Sequence, residues 1–291
     1  MRVLIADNRT DAGYGRRRVC EALAQRGVDY VVTRLQDVSY RINGTGASAY
    51  CGDTRLPQDI DACLVFRTRG VEAAATDLVR FLTQHDVACV DPLEAYLNPT
   101  GKVGTLTRAP GHINVPETLV ALSDAAVGIE QWHWFPAIVK PLDGCRGRDV
   151  QQAEDAATLR QHVARLFEAG RDVVVQDKLS IKDEFRVLVV GDRALAVCRR
   201  HGDQNSVAAN VAQGGDLTLT ERPDLEGPAI AAAQRNHYEI CGVDLAETED
   251  DLYLLEANRC PVIQPVEELG AEVSGAIVDL LQERASQASS R

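Results

Sequence analysis

The stretch YLLEANRCPVIQP, residues 253–265, ends an apolar run with two polar side chains, Glu256 and Asn258, shortly before two prolines. The apolar run predicts a buried strand. A carboxylate and a carboxamide cost free energy when they are buried, unless each of them is bound. The first question is therefore what these two side chains bind.

The preceding segment, GVDLAETEDDLYLLEAN, supplies a partner for them. If EDD forms the hairpin loop, the three-residue turn places Asp244 opposite Glu256, and the alternation of a strand puts Asn258 on the same face. Neighbouring carboxylates repel, which favours a cation between them, and oxygen ligands favour magnesium over zinc. The alternative is a solvated strand end, because a lone E-x-N motif also occurs by chance.

A candidate phosphate site lies in FPAIVKPLDGCRGRDV. Lys140 ends an apolar strand, and the loop after it contains Gly144 and Gly147, whose backbone N–H groups can bind an anion. The lysine precedes the glycines, so the stretch is not a P-loop. The lysine on the strand and a lid formed by the glycine loop would act together to bind phosphates. The alternative is an ordinary strand-to-helix turn.

Further polar residues follow in VVVQDKLSIKDEFRVLVV. One strand ends in Gln176 and Asp177, and the next carries Glu184 and Arg186 on one face. A ribose diol suits Glu184, whereas a phosphate or a developing oxyanion suits Arg186. The alternative is that this acid and base pair with each other on a solvated face.

Weaker signals come from CRRHGDQNSVAANVAQGGD, where Arg199 and Arg200 follow a strand and Asn210 precedes two glycines. Arginines at strand ends are usually solvated. The histidines form no constellation, and none lies in a nucleophile motif with Ser or Cys. The stretch DAGYGRRR lacks the third glycine of a dinucleotide fingerprint, which disfavours nicotinamide chemistry.

Composition excludes several classes of protein. The chain has 291 residues, 45% of them hydrophobic and 25% charged, with a net charge of -12. This charge disfavours nucleic-acid and membrane partners. We expect a cytoplasmic protein, because the chain opens without a long apolar segment and contains no run of about 20 apolar residues. The 8 cysteines show no metal-binding spacing and are expected to be reduced.

The chain alternates strands and helices over residues 1–97, as a βαβ domain does. Prolines between residues 92 and 116 indicate a linker around a short helix. From residue 137 the pattern of a strand, a crossover helix and several further strands predicts an α+β unit. The last helix is expected at roughly 266–283, and residues 285–291 are expected to be a disordered tail.

In their order and spacing, these motifs resemble the RimK-like branch of the ATP-grasp superfamily. The resemblance covers roughly residues 60–268. It rests on NPTGKVGTL with Lys102, VPET, IVKPLDGCRGRDV, VVVQDKLS, DEFRVLVVG, CRRHGD, NVAQGG, GVDLAE and LLEANRCP. No single motif decides it.

The resemblance implies an α/β and α+β chain with an ATP-grasp fold behind an N-terminal βαβ (pre-ATP-grasp) domain. It implies a substrate-side domain at 1–97, a central lobe with the glycine lid at 98–175 and a C-terminal lobe with the magnesium site at 176–284. It also implies an ADP-forming ligase that joins a carboxylate to an amine through an acyl phosphate.

The resemblance also assigns roles to particular residues. ATP would be held by Lys102, Lys140, Gly144, Gly147, Gln176, Asp177, Leu179 and Glu184, and magnesium, or manganese in its place, by Asp244, Glu256 and Asn258. The γ-phosphate and the tetrahedral intermediate would face Arg186, Arg200 and Asn210. A substrate carboxylate is expected at Arg67 and Arg69, which follow a strand of the first domain. Arg16, Arg17 and Arg18 are expected to be solvated.

The chain departs from the family pattern at Asp149, where a third glycine is common, and at Ala208, where a basic residue is common. NVAQGG stands where ribosomal-protein ligases have NxHRGG. We expect amino-acid or peptide substrates, with a carrier or precursor peptide as one option, and a homodimer or homotetramer. A small-molecule kinase and a non-catalytic nucleotide sensor are the alternative functions.

Overall fold

The computed structural model describes residues 1–9, 11–44, 46–97, 101–123, 128–144, 149–201 and 217–290. Its N-terminal part contains a parallel sheet with the strand order β2-β1-β6-β7, which confirms the predicted βαβ pattern. The elements are β1 Arg2–Asp7, α1 Tyr14–Gln25, β2 Asp29–Arg34, a 3₁₀ turn Leu35–Asp37, β3 Ser39–Asn43, β4 Gly46–Cys51, β5 Thr54–Leu56, β6 Ala62–Val65, α2 Glu72–Thr83 and β7 Ala88–Val90. Strands β3, β4 and β5 form a separate antiparallel sheet that the sequence analysis did not predict.

The middle of the chain forms an antiparallel sheet with the order β10-β9-β11-β8. Its elements, with the helices before it, are α3 Leu93–Leu97, α4 Lys102–Thr107, β8 Thr118–Ala121, α5 Gly128–Gln131, β9 Ala137–Pro141, β10 Gln151–Ala153, α6 Ala156–Glu168 and β11 Val173–Asp177. The predicted crossover is wrong, because β10 turns the chain back before α6 and makes β11 antiparallel to β9.

The C-terminal part forms an antiparallel sheet with the order β14-β13-β12-β15-β16. Its elements are β12 Asp183–Val190, β13 Arg193–Arg200, β14 Leu217–Leu219, α7 Pro223–Arg235, β15 Ile240–Glu247, β16 Leu252–Arg259, α8 Gln264–Glu268 and α9 Val273–Ser289. One face packs against α7 through Phe185, Val187, Val189, Val243 and Leu245.

The hairpin of β15 and β16 has the predicted pairing of Asp244 with Glu256, but its loop differs from the prediction. β15 extends to Glu247 and pairs with Leu252, so the loop has one residue more than predicted. A register shift between Asp244 and Leu245 then restores the predicted pair. A bulge of this kind adds one residue to one strand, which offsets the longer loop.

The N-terminal and C-terminal sheets share one hydrophobic core. Leu188, Val190 and Ile240 of the C-terminal sheet belong to the same buried cluster as Val3, Ile5 and Leu64 of the N-terminal sheet, and α9 contributes Ile277 and Leu281. The central sheet and α6 have a core of their own. The first and last parts of the chain therefore form one packed unit, with the central sheet beside it.

Two predicted boundaries need correction. Ala95 and Ile113 pack in the C-terminal core, so residue 98 does not begin the core of the central lobe, which starts with β8. The predicted tail is also wrong for residues 285–289, because α9 continues to Ser289 and Ala285 is buried in the shared core. The helix expected at roughly 266–283 is two helices, α8 and α9, separated at Gly270, whose φ is 99°.

Seven cysteines in the described part of the chain are free, and Cys145 lies outside it. Among the helices that the structure describes, none has both the length and the apolar character needed to span a bilayer.

Leu281→Ala tests the shared core. Leu281 is fully buried, so we expect the substitution to lower the free energy of unfolding by about 2–5 kcal/mol. Urea unfolding at neutral pH measures the loss. The exposed Gln287→Ala on the same helix is the control, expected to change stability by no more than about 0.5 kcal/mol. Equal stability of the two variants would contradict the conclusion that packing of α9 in the shared core stabilises the fold.

Candidate active site

The candidate site lies on the polar half of one face of the C-terminal sheet. Register pairs Arg186 with both Cys198 and Asp244, and Asp244 with Glu256. The alternation of strands places Glu184, Arg200 and Asn258 on this face too. Farther along the strands the same face carries Leu188 and Val190, which pack in the shared core. The predicted polar residues are therefore brought together on one surface.

Asp244 is the centre of a buried ion-pair network. Arg186 donates from Nε and Nη2 to the two carboxylate oxygens, at 2.8 Å each. Arg200 donates from Nη2 to the same oxygens at 3.1 and 3.0 Å. Two guanidinium groups therefore share one carboxylate in a place where an isolated charge would be costly.

Arg200 also donates a hydrogen bond from Nη1 to Oε1 of Glu184. Burial raises the pKa of Glu184 above its ordinary value, although the charge of Arg200 opposes this shift. The alternative that Glu184 and Arg186 pair with each other is therefore wrong, because register places each of them beside another partner, Arg200 and Asp244 respectively. The face is also buried rather than solvated.

Lys140 lies on the face of the central sheet opposite the residues that pack against α6. Its Nζ donates to the side-chain oxygen of Gln176, whose Nε2 donates to Thr118 Oγ1 at 2.8 Å. Burial lowers the pKa of Lys140 to about 8, and the positive charge of Lys102 adds to this shift. The negative charges of Glu256 and Glu184 oppose this lowering of the pKa. Lys140 of the central sheet therefore lies near these two carboxylates of the C-terminal sheet.

Lys102 joins the same group from the first turn of α4. Its Nζ lies 3.9 Å from Oε1 of Glu256, and its side chain is largely buried. α4 packs against β16, which explains this position. The site thus contains two lysines and two arginines around three carboxylates.

Three other predicted nucleotide residues lie at or just beyond the ends of β9 and β11, the two inner strands of the central sheet. Oδ1 of Asp177 is buried and has no hydrogen-bond partner within the described residues. Burial raises the pKa of this carboxyl group. Leu179 is half-buried after β11, and Gly144 donates its N–H to the carbonyl of Pro141. Gly147 and Asn210 lie outside the described residues.

The donor set of Asp244, Glu256 and Asn258 fits a magnesium ion by its chemistry, because all three offer oxygen atoms. In the described ranges no group of three or more His, Cys, Asp or Glu residues has the arrangement of a metal centre. The candidate set consists of two carboxylates and one carboxamide, and both oxygens of Asp244 accept hydrogen bonds from arginines. A cation at this edge would share Asp244 with them.

The predicted substrate arginines have different surroundings. Arg67 forms an ion pair with the buried carboxylate of Asp7, at 2.7 Å, and Arg69 is mostly exposed. The expectation that Arg16 is solvated is wrong, because its side chain is buried and its Nη1 lies 3.4 Å from Asp7 Oδ2. Arg17 is exposed, as expected, whereas Arg18 forms an ion pair with the buried Glu267.

Three polar positions near the site were not predicted from the sequence: Asp7, Thr118 and Asp91. Asp7 ends the parallel strand β1, and a charged residue at this end of a strand is a recognisable signal. Thr118 lies in the quoted VPET motif and orients Gln176. Asp91 accepts hydrogen bonds from the N–H groups of Glu239 and Ile240, a long-range contact without a local signal.

Comparison with known proteins places this chain in a family. The RimK-like ATP-grasp domain matches residues 102–281. A probable alpha-L-glutamate ligase of Rhodopirellula baltica is 27% identical over 275 residues, which are 92% of this chain and 68% of that protein. A protein of the same name from Haemophilus ducreyi is 30% identical over 179 residues, 60% of this chain and 58% of its own length.

Among solved structures, the ATP-grasp ligase PsnB complexed with a phosphomimetic variant of a minimal precursor, Mg and ADP has a similar fold. Its TM-score is 0.72 at 18% identity, over 97% of this chain and 98% of PsnB. The chain has the ATP-grasp fold, which confirms the predicted fold class. The chain belongs to the RimK-like ATP-grasp family. It spans 58% and 61% of the length of two of its curated relatives.

The depressed pKa of Lys140 makes stability depend on pH. Since the folded-state pKa is about 8 and the ordinary value is 10.5, the unfolded chain binds more protons between these values. The free energy of unfolding due to this group therefore rises with pH across that window. Lys140→Met removes the titration, so we expect its stability relative to the wild type to fall by roughly 2–3 kcal/mol from pH 7 to pH 10.

Urea unfolding at several pH values measures this difference. The exposed Lys178→Met is the control and should keep a constant difference from the wild type. A difference for Lys140→Met that does not vary with pH would show that Lys140 has an ordinary pKa.

Proposed function

We propose that this protein joins a carboxylate to an amine in an ATP-dependent, ADP-forming reaction through an acyl phosphate. The observation that carries the proposal is the convergence of Lys102, Lys140, Arg186 and Arg200 on the surface that bears Asp244 and Glu256. Four basic groups next to hard oxygen donors suit a polyphosphate with its cation. No side-chain nucleophile is required, because the amine itself attacks the activated acyl group.

The nucleotide would lie between the central and the C-terminal sheets. We assign Lys102 and Lys140 to its phosphates and the loop of Gly144 and Gly147 to a lid over them. Asp177 supports an assignment to the adenine edge, because its unpaired buried oxygen can accept a hydrogen bond from an amino group. Leu179 offers an apolar contact beside it.

One of the expected nucleotide residues, Gln176, is assigned a different role, and Glu184 keeps its own. The side chain of Gln176 is occupied on both sides, by Lys140 and by Thr118, so we assign it the role of orienting Lys140. Glu184 remains the candidate for the ribose hydroxyls. One of its oxygens is bound to Arg200, and a carboxylate can accept further hydrogen bonds.

Asp244, Glu256 and Asn258 would hold magnesium, which neutralises phosphate charge when it is bound. Manganese accepts the same oxygen ligands and is expected to replace it. Arg186 and Arg200 are held by Asp244 in fixed orientations, with their positive charge directed at the same surface. Fixed cations of this kind stabilise charge that develops on a transferring phosphoryl group, and Asn210 would assist them.

An amino acid or a peptide is the proposed substrate. The relatives named above are called alpha-L-glutamate ligases, and PsnB was solved with a minimal precursor. A carrier or precursor peptide therefore remains one option for this chain. The proposed assembly is a homodimer or a homotetramer, which sedimentation would measure.

The reaction is tested by phosphate release with ATP, magnesium and pairs of amino acids or peptides, followed by mass spectrometry. We expect ADP formation to require both an acid and an amine, and hydroxylamine to trap an acyl hydroxamate. ADP formation without any carboxylate would contradict the ligase. A phosphorylated product without an amide would show that the kinase alternative is correct.

Asn258→Leu tests the metal edge. The substitution removes an oxygen ligand, so we expect at least a tenfold loss of turnover at low magnesium, with partial recovery at high magnesium. Glu256→Gln should behave in the same way. Asp251→Asn, in the exposed loop of the same hairpin, is the matched control and should keep wild-type turnover. If the magnesium dependence of turnover were unchanged in both Asn258→Leu and Glu256→Gln, the assignment of these residues as magnesium ligands would be wrong.

A further inference from the structure

Asn258, one of the proposed magnesium ligands, lies at the end of an outer strand. β16 is the last strand in the order of its sheet, and it ends at Arg259, the next residue. Cys260 then has a φ of 69°, which is uncommon for a residue other than glycine, and Pro261 has no N–H to continue a sheet. A backbone conformation of this kind persists only where the surrounding structure holds it. The position of Asn258 therefore depends on the contacts of this strand end.

Arg259 makes buried tertiary contacts at this strand end. Its guanidinium donates from Nη2 to Thr68 Oγ1 at 2.9 Å and from Nη1 to the hydroxyl of Tyr96 at 3.1 Å, and it lies over the ring of Tyr96. Nη1 is also 3.6 Å from the carboxylate of Asp91, and the side chains of Arg259 and Asp91 are only 5% and 4% exposed. The strand end is thus tied to α3 and to the segments that follow β6 and β7.

Asp91 holds the neighbouring strand at the same level. Its Oδ1 accepts hydrogen bonds from the N–H groups of Glu239 and Ile240, at 2.6 and 3.2 Å. Ile240 is the first residue of β15, and the next residue, Cys241, is the register partner of Arg259. The ion pair between Arg259 and Asp91 therefore anchors the start of β15 and the end of β16 together.

Gly242 allows the chain after β16 to pack closely on β15. Gly242 is the register partner of Asn258, and a Cβ atom at this position would lie 2.9 Å from Cβ of Pro261. Its backbone is that of a strand, which does not require a glycine. The glycine instead leaves room for the proline beside the residue that pairs with Asn258.

A buried ion pair of this kind contributes geometry more than stability. Its two charges lose solvation, and their attraction returns about as much, so an apolar pair of similar volume is often equally stable. Burial raises the pKa of Asp91 above its ordinary value, and the charge of Arg259 opposes this shift. The planar guanidinium of Arg259, however, meets Thr68, Tyr96 and Asp91 in one fixed orientation, which an apolar side chain cannot do.

We infer that Arg259 is a positioning residue for Asn258, and that Asp91 assists it by orienting the guanidinium. Neighbouring side chains of a strand point to opposite faces, so Asn258 faces the site while Arg259 points to Tyr96 on the other side. Arg259 has no side-chain oxygen for a cation and acts through the backbone of the strand. The inference rests on the proposed function, because it requires Asn258 to be a magnesium ligand, and it adds a residue outside the site that determines magnesium affinity.

Binding of a non-hydrolysable ATP analogue at a series of magnesium concentrations, measured by calorimetry, tests the inference without turnover. Arg259→Lys keeps a positive charge beside Asp91, but its single nitrogen cannot reproduce the contacts of a guanidinium with Thr68 and Tyr96. We expect the magnesium concentration for half-maximal binding to rise roughly tenfold, with wild-type binding recovered at saturating magnesium.

The comparison that separates positioning from a merely structural role is made in Asn258→Leu. If Arg259 acts through Asn258, adding Arg259→Lys to this variant should change the magnesium concentration by less than about twofold, because the two effects are not additive. A structural residue would weaken binding by the same factor in both backgrounds. Arg193→Lys, the same change at an exposed position of β13 in this sheet, is the matched control and should bind as the wild type does.

Thr68→Val is the second variant, because it removes one hydrogen-bond acceptor of Arg259 and leaves the ion pair with Asp91 in place. It should raise the magnesium concentration for half-maximal binding by about threefold. Circular dichroism and the midpoint of thermal unfolding establish that the variants are folded.

Two results would overturn the inference: a wild-type magnesium dependence in both Arg259→Lys and Thr68→Val, or an equal effect of Arg259→Lys with and without Asn258. A magnesium dependence that Asn258→Leu leaves unchanged would refute the metal assignment in the proposed function, and the role of Arg259 with it. Absence of an amide product and of the hydroxamate, with these binding effects present, would instead refute the ligase and leave the positioning role of Arg259 intact.

Discussion

The sharing of Asp244 between two arginines is the interaction on which the rest of the site depends. Asp244, Glu184 and Glu256 lie on adjoining strands of one face, where neighbouring carboxylates repel one another unless positive groups lie between them. Arg200 links Glu184 to Asp244, and Arg186 forms a second ion pair with Asp244. A buried network of this kind is stable only while every member is paired.

The charge balance of the site explains how an acidic protein can bind a polyphosphate. The chain as a whole has a net charge of -12, which repels anions at a distance. The described part of the site has four basic side chains against three carboxylates, so its own charge is only slightly positive. Such a balance favours a nucleotide that brings a divalent cation, because the cation shares the carboxylates and leaves the basic groups to the phosphates.

The sequence predicts the local parts of this site well because they depend on alternation. Glu256 and Asn258 lie on one face of one strand, and so do Glu184 and Arg186, whatever the rest of the fold does. The pairing of Asp244 with Glu256 was predicted from a three-residue loop, whereas the structure reaches it with a longer loop and a bulge. Pairs between distant residues, such as Asp7 with Arg67 or Arg200 with Glu184, depend on tertiary contacts that no local pattern contains.

The division of the core determines which parts of the site are fixed relative to each other. The C-terminal sheet and the N-terminal sheet share one buried cluster, completed by α9, and Arg259 adds buried contacts to Tyr96 and Asp91 at their junction. Glu256, Asn258 and Arg67 therefore belong to a single packed unit. Lys140 belongs to a sheet with a separate core, joined to the rest by polar contacts such as that between Arg69 and Asp143. Polar surface contacts separate at a lower cost than a shared core does. Adjustment to a nucleotide is therefore expected in the central sheet, while Glu256, Asn258 and Arg67 keep their distances from one another.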